Sequence, residues 1–429
     1  MTATDRTRTS ISRRAVLAAA PVAAAAGAVG VSSPAAASGG GGGARAAVLG
    51  WFDATDAAVT AAPASVQVAN SRTWAIAWLA AARAVRRVPH GLNAKHYREA
   101  ALAAAVHRAL YALAPTQQAA LDAALEAALD EVPDGRAKRK GVAAGVDRAD
   151  DLLADRTGDG LDPASVSPPW TPPAAAPGVW QPTPPAFAAA AQAGTRFAVP
   201  FALDSGDQFR LDPPPAIGTP QYRADLDEVH AYGGVGSTAR TQAQTDVAQF
   251  WYGSSFVLYN PVLRAALEHH TGSLRDLVEL VALFHVASVD TQIATSDSKY
   301  AYLWWRPVTA IAGAVEDGDP ATVRDPSWTP FHTTPAHPDY PSGHNTYSGA
   351  AEEVLTQLVG DGPGAAFTIP SPSAPGVTRT YTTWHPLTTE NIDARVWSGI
   401  HSRSADLAGV ELSRNVAAYV LSRADELLA

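Results

Sequence analysis

The 429-residue chain contains no cysteine. This excludes disulfides, thiolate nucleophiles, zinc–thiolate sites and iron–sulfur clusters. Charge is sparse: 17% of residues are Asp, Glu, Lys or Arg, and the formal net charge is −9, which argues against a broad nucleic-acid surface. No HExxH or comparable spacing of zinc ligands occurs, and the "GGGGG" run is not followed by the GK[ST] of a phosphate-binding P-loop. β-branched alternation is scarce and no repeat of fixed period is visible. Beyond residue 37 no apolar run reaches the ~20 residues of a membrane span; "LVELVALFHVASV" is shorter and broken by His285.

What is present is alanine and helical spacing. Hydrophobic residues make up 47% of the chain, enough to bury a core. In "TWAIAWLAAARAVRRV" and "YREAALAAAVHRALYALA" apolar residues return every three or four positions. The expected fold is all-α, built from packed helical bundles.

The first 37 residues predict a twin-arginine-type export signal. Arg13 and Arg14 follow Ser12, a mildly apolar run comes next, and Ala35-Ala36-Ala37 offers an A-x-A cleavage site. That run is cut by Pro21 and Pro34 and would make a poor permanent span, so the expectation is a secreted protein without stable membrane insertion. Residues 38–45 read as a flexible Gly-rich linker. Residues 46–158 form an N-terminal helical part, with Thr116 as an N-cap. Residues 159–220 form a proline-rich surface connector anchored by Trp170, Trp180 and Phe187. It is long for a loop and so is expected to pack over something. Residues 221–429 form a C-terminal helical part, and residues 46–429 are expected to be one compact unit.

Three short stretches carry chemistry. In "SKYAYLWWRPVTAI", Lys299 and Arg306 lie seven residues apart, two turns of one helix, so both cations are expected on one face. In "PDYPSGHNTYSGAAEEVL", Ser342 is placed to cap the helix that follows, Gly343 lets a ligand approach the backbone, and His344 can exchange a proton. A helix N-terminus also offers free N–H groups to an anion. In "ARVWSGIHSR", Arg395 and His401 are six residues apart, about 240° on a regular helix, and Ser398-Gly399 is placed to break the segment and turn both inward. Taken singly, each stretch has an ordinary structural reading: a basic stripe, a capped helix, a surface Arg beside a core His.

Taken in order, Lys299-x6-Arg306-Pro307, Pro341-Ser342-Gly343-His344 and Arg395-x5-His401 resemble the three-part signature shared by vanadium-dependent haloperoxidases and type 2 phosphatidic acid phosphatases. The surroundings "RTQAQTDVAQFW", "WRPVTAI" and "GIHSRSADLAG" resemble the exported bacterial haloperoxidase branch. The resemblance implies a site for vanadate, which phosphate can also occupy. Lys299, Arg306, Ser342, Gly343 and Arg395 would bind the oxyanion, His401 would be the axial vanadium ligand, and His344 and Lys299 would be catalytic. Hydrogen peroxide, a halide and a small organic acceptor are the implied partners. Through the same residues, the phosphatase alternative makes His401 a nucleophile that forms a phosphohistidine, and a non-catalytic oxyanion-binding protein is a third reading. The resemblance places His337 near the halide, favouring bromide over chloride. It also places Ser296 where haloperoxidases often carry a pocket-lining Trp, and Ala405 where the family often has an Asp, with Asp406 one position later. Asp290 and Asp297 are candidates to orient a motif cation. His269, His270, His332 and His385 read as structural or solvated.

Overall fold

Stripes of alanine and larger apolar residues fold into long helices that approach closely because their contact faces are small. The structure, a computed structural model, describes residues 40–61, 66–313 and 316–429; the expected export signal lies outside them. The N-terminal part comprises α1 (Gly40–Ala61), α2 (Gln67–Arg86), α3 (Ala94–Leu113), α4 (Gln118–Asp130) and α5 (Arg136–Asp155). α6 (Pro163–Val166) is a short turn in the connector. The C-terminal part comprises α7 (Pro220–Gly233), α8 (Gln242–Phe250), α9 (Ser255–His269), α10 (Leu274–Tyr302), α11 (Pro307–Ala312), α12 (Gly343–Val359), α13 (His385–Trp397), α14 (Arg403–Ser422) and α15 (Ala424–Leu427). The fold is helical, with one small addition that the periodicity did not announce. β1 (Phe367–Pro370) and β2 (Thr378–Tyr381) form an antiparallel hairpin in the register Phe367↔Tyr381.

α10 is the axis of the molecule. Ser273 starts it with a reciprocal capping box to Asp276, and Leu303, at φ 52°, ends it in a left-handed turn. α2, α12 and α14 pack around it. By length and composition α10 could cross a membrane, contrary to the reading of its sequence, but 94% of its most apolar window is buried inside the fold. A helix that is apolar all round is here a core helix. The described residues fall in one compact unit.

Several local expectations are corrected. Residues 40–45, read as linker, are the first turns of α1. Thr116 lies in a 3₁₀ turn (Pro115–Gln117) and does not cap α4, which starts at Gln118 without a side-chain cap. In the connector Trp180 is fully buried against Ala190, Ala193 and Tyr300, with Trp170 beside it, but Phe187 is 63% exposed and anchors nothing. Asp290 and Asp297 serve the connector rather than a motif cation. Asp290 accepts the N–H groups of Phe201, Ala202 and Leu203 at 2.7–3.0 Å, and Asp297 takes both arms of the Arg210 guanidinium. Three consecutive amides leaving a proline-rich segment need an acceptor when buried, and the Asp290 carboxylate supplies it.

Of the histidines outside the motifs, His285 is the most deeply placed. It lies in the middle of α10, stacks on Trp74 at 4.6 Å, and neither ring nitrogen has a hydrogen-bond partner. Burial pulls its pKa down to about 3. Between pH about 6.5, where an unfolded His titrates, and about 3, the unfolded chain binds a proton here that the folded chain refuses. Stability from this residue is therefore present above that window and lost as pH falls through it. His285→Phe is expected to flatten the acid limb of the stability curve by up to about 1.4 kcal/mol per pH unit. Denaturant unfolding at pH 7 and 4.5 checks this, and parallel curves for the two proteins contradict it.

Candidate oxyanion site

Lys299 and Arg306 do converge, but not along one helix face. α10 ends at Tyr302, and the left-handed Leu303 turns the chain so that Arg306 becomes the first residue before α11. Both side chains are buried, and Arg306 is inaccessible to solvent. The Lys299 ammonium donates to the carbonyls of Pro338 (2.6 Å) and Asp339 (2.9 Å). The Arg306 guanidinium donates to the carbonyls of His337 (2.8 Å) and Ile400 (2.6 Å) and to His337 Nδ1 (3.0 Å), and its Nη1 lies 3.1 Å from His401 Nε2. These carbonyls come from the stretches leading to His344 and His401, so the first motif holds the other two in place.

The second motif opens α12. Ser342 is at the N-cap position, yet its side chain makes no capping bond; its hydroxyl turns to Asn345 and Asp406. Its N–H donates to Ala405 O at 2.9 Å. α14 comes so close here that a side chain at Gly409 would meet Ser342 O at 2.7 Å. His344 Nε2 lies 2.9 Å from Gly253 O. A carbonyl only accepts, so Nε2 carries the hydrogen and Nδ1 keeps a lone pair.

The third motif breaks as expected. α13 ends at Trp397 and Gly399 adopts φ 76°, where a Cβ would lie 2.3 Å from Gly233 O. Arg395 and His401 are thereby both buried. His401 Nδ1 sits 2.5 Å from Asp339 Oδ1, a partner that reading the motifs did not single out. Asp339 stands three residues before Ser342, inside the quoted motif stretch. An acidic residue beside a histidine motif in a chain of low charge was the available signal.

Lys299, Gly343, His344, His401, His337 and Ser296 line a single cavity of about 150 Å³. Gln67, Gln192 and Gln292 complete its polar wall, and none of them was foreseen. Ser296 donates to Gln192 O at 2.8 Å, tying the connector over the cavity as a roof. Arg395 stands behind the wall. Its Nη1 reaches only Trp251 O at 3.4 Å, and its Nε and Nη2 are buried without a partner; Asp406 Oδ2 is likewise unpaired. His332, read as structural, bridges Ser398 and Gln249 beside this motif.

The electrostatics explain what the site lacks. Burial, then the charge of Arg306, drives Lys299 well below the ordinary ammonium range. Burial brings Arg306 down to about 10 and Arg395 to about 9. Burial, then Arg306, keeps His401 neutral; burial, then Arg395, does the same for His344; burial, then Lys299, for His337. Burial pushes the Asp339 carboxyl up to about 6 while Arg306 and Lys299 pull it back. Three cations lie in or beside a buried site with two carboxylates, and two buried guanidinium donors have no partner among the described residues. An oxyanion would relieve both conditions. The residues therefore fit vanadate or phosphate: three cations for its charge, the Gly343 N–H at a helix start, and an unprotonated imidazole nitrogen on His401.

Known proteins resemble this chain in sequence over part of its length and in fold over most of it. Residues 279–429 match the sequence family described as the VCPO second helical-bundle domain. Over 186 residues the chain is 28% identical to the vanadium chloroperoxidase of Curvularia inaequalis, a stretch covering 36% of this chain and 30% of that protein. Among solved structures, the first bacterial vanadium-dependent iodoperoxidase superposes with a TM-score of 0.69 at 23% identity, covering 87% of this chain and 95% of the other. A holo-type bacterial vanadium-dependent chloroperoxidase superposes at 0.65 and 15% identity, covering 84% and 92%. The chain is thus related to the vanadium haloperoxidases by sequence over its C-terminal part and shares their fold over most of its length.

Proposed function

We propose that this protein is a vanadate-dependent haloperoxidase that oxidises a halide with hydrogen peroxide and passes the product to a small organic acceptor. The observation that carries the reading is the pair of unpartnered, buried Arg395 donors beside a cavity that Lys299, His344 and His401 share. Vanadate, when bound, supplies Lewis-acid activation of the peroxide. Lys299, Arg306 and Arg395 balance the oxyanion charge, and the Gly343 N–H donates to it. Ser342 would join them by turning its hydroxyl from Asp406. His401 Nε2 is the nitrogen offered to the metal. His344 Nδ1 takes the proton from hydrogen peroxide, while its Nε2–H stays on Gly253 O. Since Arg306 can only donate, His337 Nδ1 accepts and its Nε2 carries the hydrogen. Since His337 lines the cavity, that N–H would be a donor for halide, and bromide over chloride belongs to this reading. Export through the twin-arginine pathway and the absence of stable membrane insertion belong to the same reading.

A phosphatase reading rests on one specific observation. The carboxylate on His401 Nδ1 leaves Nε2 as a nucleophile that can attack a phosphate ester. A two-armed assay decides. The vanadate-loaded protein is expected to oxidise bromide with peroxide, and the vanadate-free protein to hydrolyse p-nitrophenyl phosphate weakly. Efficient hydrolysis without bromide oxidation supports the phosphatase. Binding of phosphate with neither activity supports an oxyanion-binding protein.

A further inference from the structure

We infer that Asp339 is the positioning residue that sets the tautomer and orientation of His401, a role that rests on the proposed use of His401 at the oxyanion. Asp339 is almost wholly buried, and every polar group it has is engaged. Its Oδ1 lies 2.5 Å from His401 Nδ1. Its Oδ2 accepts from the Ser402 hydroxyl at 3.0 Å and stands 3.4 Å from the Ser402 N–H. The Arg306 Nη1 is 3.5 Å from Oδ1. Its own N–H donates to Trp304 O at 2.8 Å, and its carbonyl accepts from Lys299 at 2.9 Å. One residue therefore touches Lys299 and Arg306 of the first motif, precedes the second, and holds the third.

The direction of the Nδ1 bond follows from the partner. A carboxylate accepts, so the hydrogen sits on Nδ1 and the lone pair on Nε2, which is the nitrogen a metal or a phosphoryl group would use. The helix that follows His401 cannot supply this carboxylate from one turn on, because that position is Ala405, buried against Tyr340. The nearest acid on α14, Asp406, binds Asn345 through Oδ1 at 2.7 Å and makes no bond to His401. The stretch before Ser342 supplies it instead. Ser402, which caps α14 through Ala405 N, also binds the second carboxylate oxygen. The ring is thus braced in plane by the same carboxylate that is braced by the helix start. The orientation exists before any oxyanion enters.

The test uses the full chain, with Asp339→Asn and Asp339→Ala. Nitrogen-15 NMR of the ligand-free protein, with the His401 signal assigned by its loss in His401→Gln, is expected to show the Nδ1–H tautomer in the wild type. Asp339→Asn keeps an oxygen acceptor and is expected to keep that tautomer with weaker vanadate binding. Asp339→Ala is expected to populate the Nε2–H form and to bind vanadate 10–100-fold more weakly, the usual loss when a ligand's outer partner is removed. Melting curves report whether each variant folds. An Nε2–H tautomer in the wild type overturns the inference, as does a folded Asp339→Ala with wild-type tautomer and vanadate affinity. Should Asp339→Ala fail to fold, the wild-type tautomer and the near-isosteric Asn variant still decide. If the wild type shows the Nδ1–H tautomer but binds neither vanadate nor inorganic phosphate, the proposed function falls and the positioning of His401 stands.

Discussion

His344→Ala is expected to bind vanadate with near wild-type affinity and to lose bromide oxidation by a factor of about 10²–10⁴, the usual contribution of a positioned proton-transfer group. The geometry separates the two effects. His344 is neutral, half-buried and fixed by its Nε2–H on Gly253 O, so it adds no cation to oxyanion binding. Its remaining lone pair is on Nδ1, and the residue lines the cavity. Burial and the charge of Arg395 lower its pKa in the ligand-free site. A bound anion acts in the opposite direction, raising it towards the range where a base works near neutral pH. Steady-state turnover of vanadate-loaded wild type and variant from about pH 5 to 8, together with a vanadate titration of each, measures both quantities. A variant with near-normal turnover and an unchanged pH profile would remove His344 from the chemistry.

The second large effect is expected at His401. His401→Ala should abolish measurable vanadate binding, whereas Lys299→Ala should only weaken it. A coordinate bond has no substitute among the cations, and of the three imidazoles lining the cavity only His401 has its Nδ1 held by a carboxylate so that Nε2 keeps its lone pair. Lys299 is one of three cations, and Arg306 and Arg395 remain when it is removed. Its ammonium also has two carbonyl partners at 2.6 and 2.9 Å, so only part of its hydrogen bonding is available to an anion. Titration of vanadate, followed by vanadium-51 NMR, ranks the two variants. Equal losses, or a larger loss at Lys299, would reassign the ligand.

How much of this was legible in the sequence depended on whether a residue's role lay in its own chemistry or in the path of the chain. Lys299, Gly343, His344 and His401 could be nominated because cations, a permissive backbone and imidazoles in that order suit an oxyanion, and the fold brings them to one cavity. Arg306 was correctly grouped with Lys299 for a wrong geometric reason. The turn at Leu303 places a non-glycine residue at positive φ, and no sequence rule announces that. The helical pattern carried the fold class, since alanine-rich stripes demand a partner surface. The hairpin of β1 and β2 was invisible because four-residue strands hold too few alternations to register. Asp290 was named for a role it does not have, and Asp339 was not named at all. On the helix side of the cationic motif Asp290 gathers backbone amides, whereas the acid that meets His401, Asp339, lies on the loop side, where sequence spacing gives no helical face to follow. Phe187 shows the limit of reading aromatic residues as anchors in a segment whose path is irregular.

The bond from Asp290 to Phe201, Ala202 and Leu203 has a bearing on how the protein assembles. Leu203 and Asp290 are 87 residues apart in sequence, and joining the ends of a loop that long costs about 4 kcal/mol of chain entropy beyond a constant. Packing of α7 to α9 beforehand would shorten the effective loop and lower that cost. The connector residues Ala191 and Gln192, which roof the cavity, depend on the same closure. The expected order is collapse of the apolar core around α10 first and completion of the cavity later. On that order, a nascent chain with a full complement of helices would still have an unroofed cavity until its proline-rich segment docks.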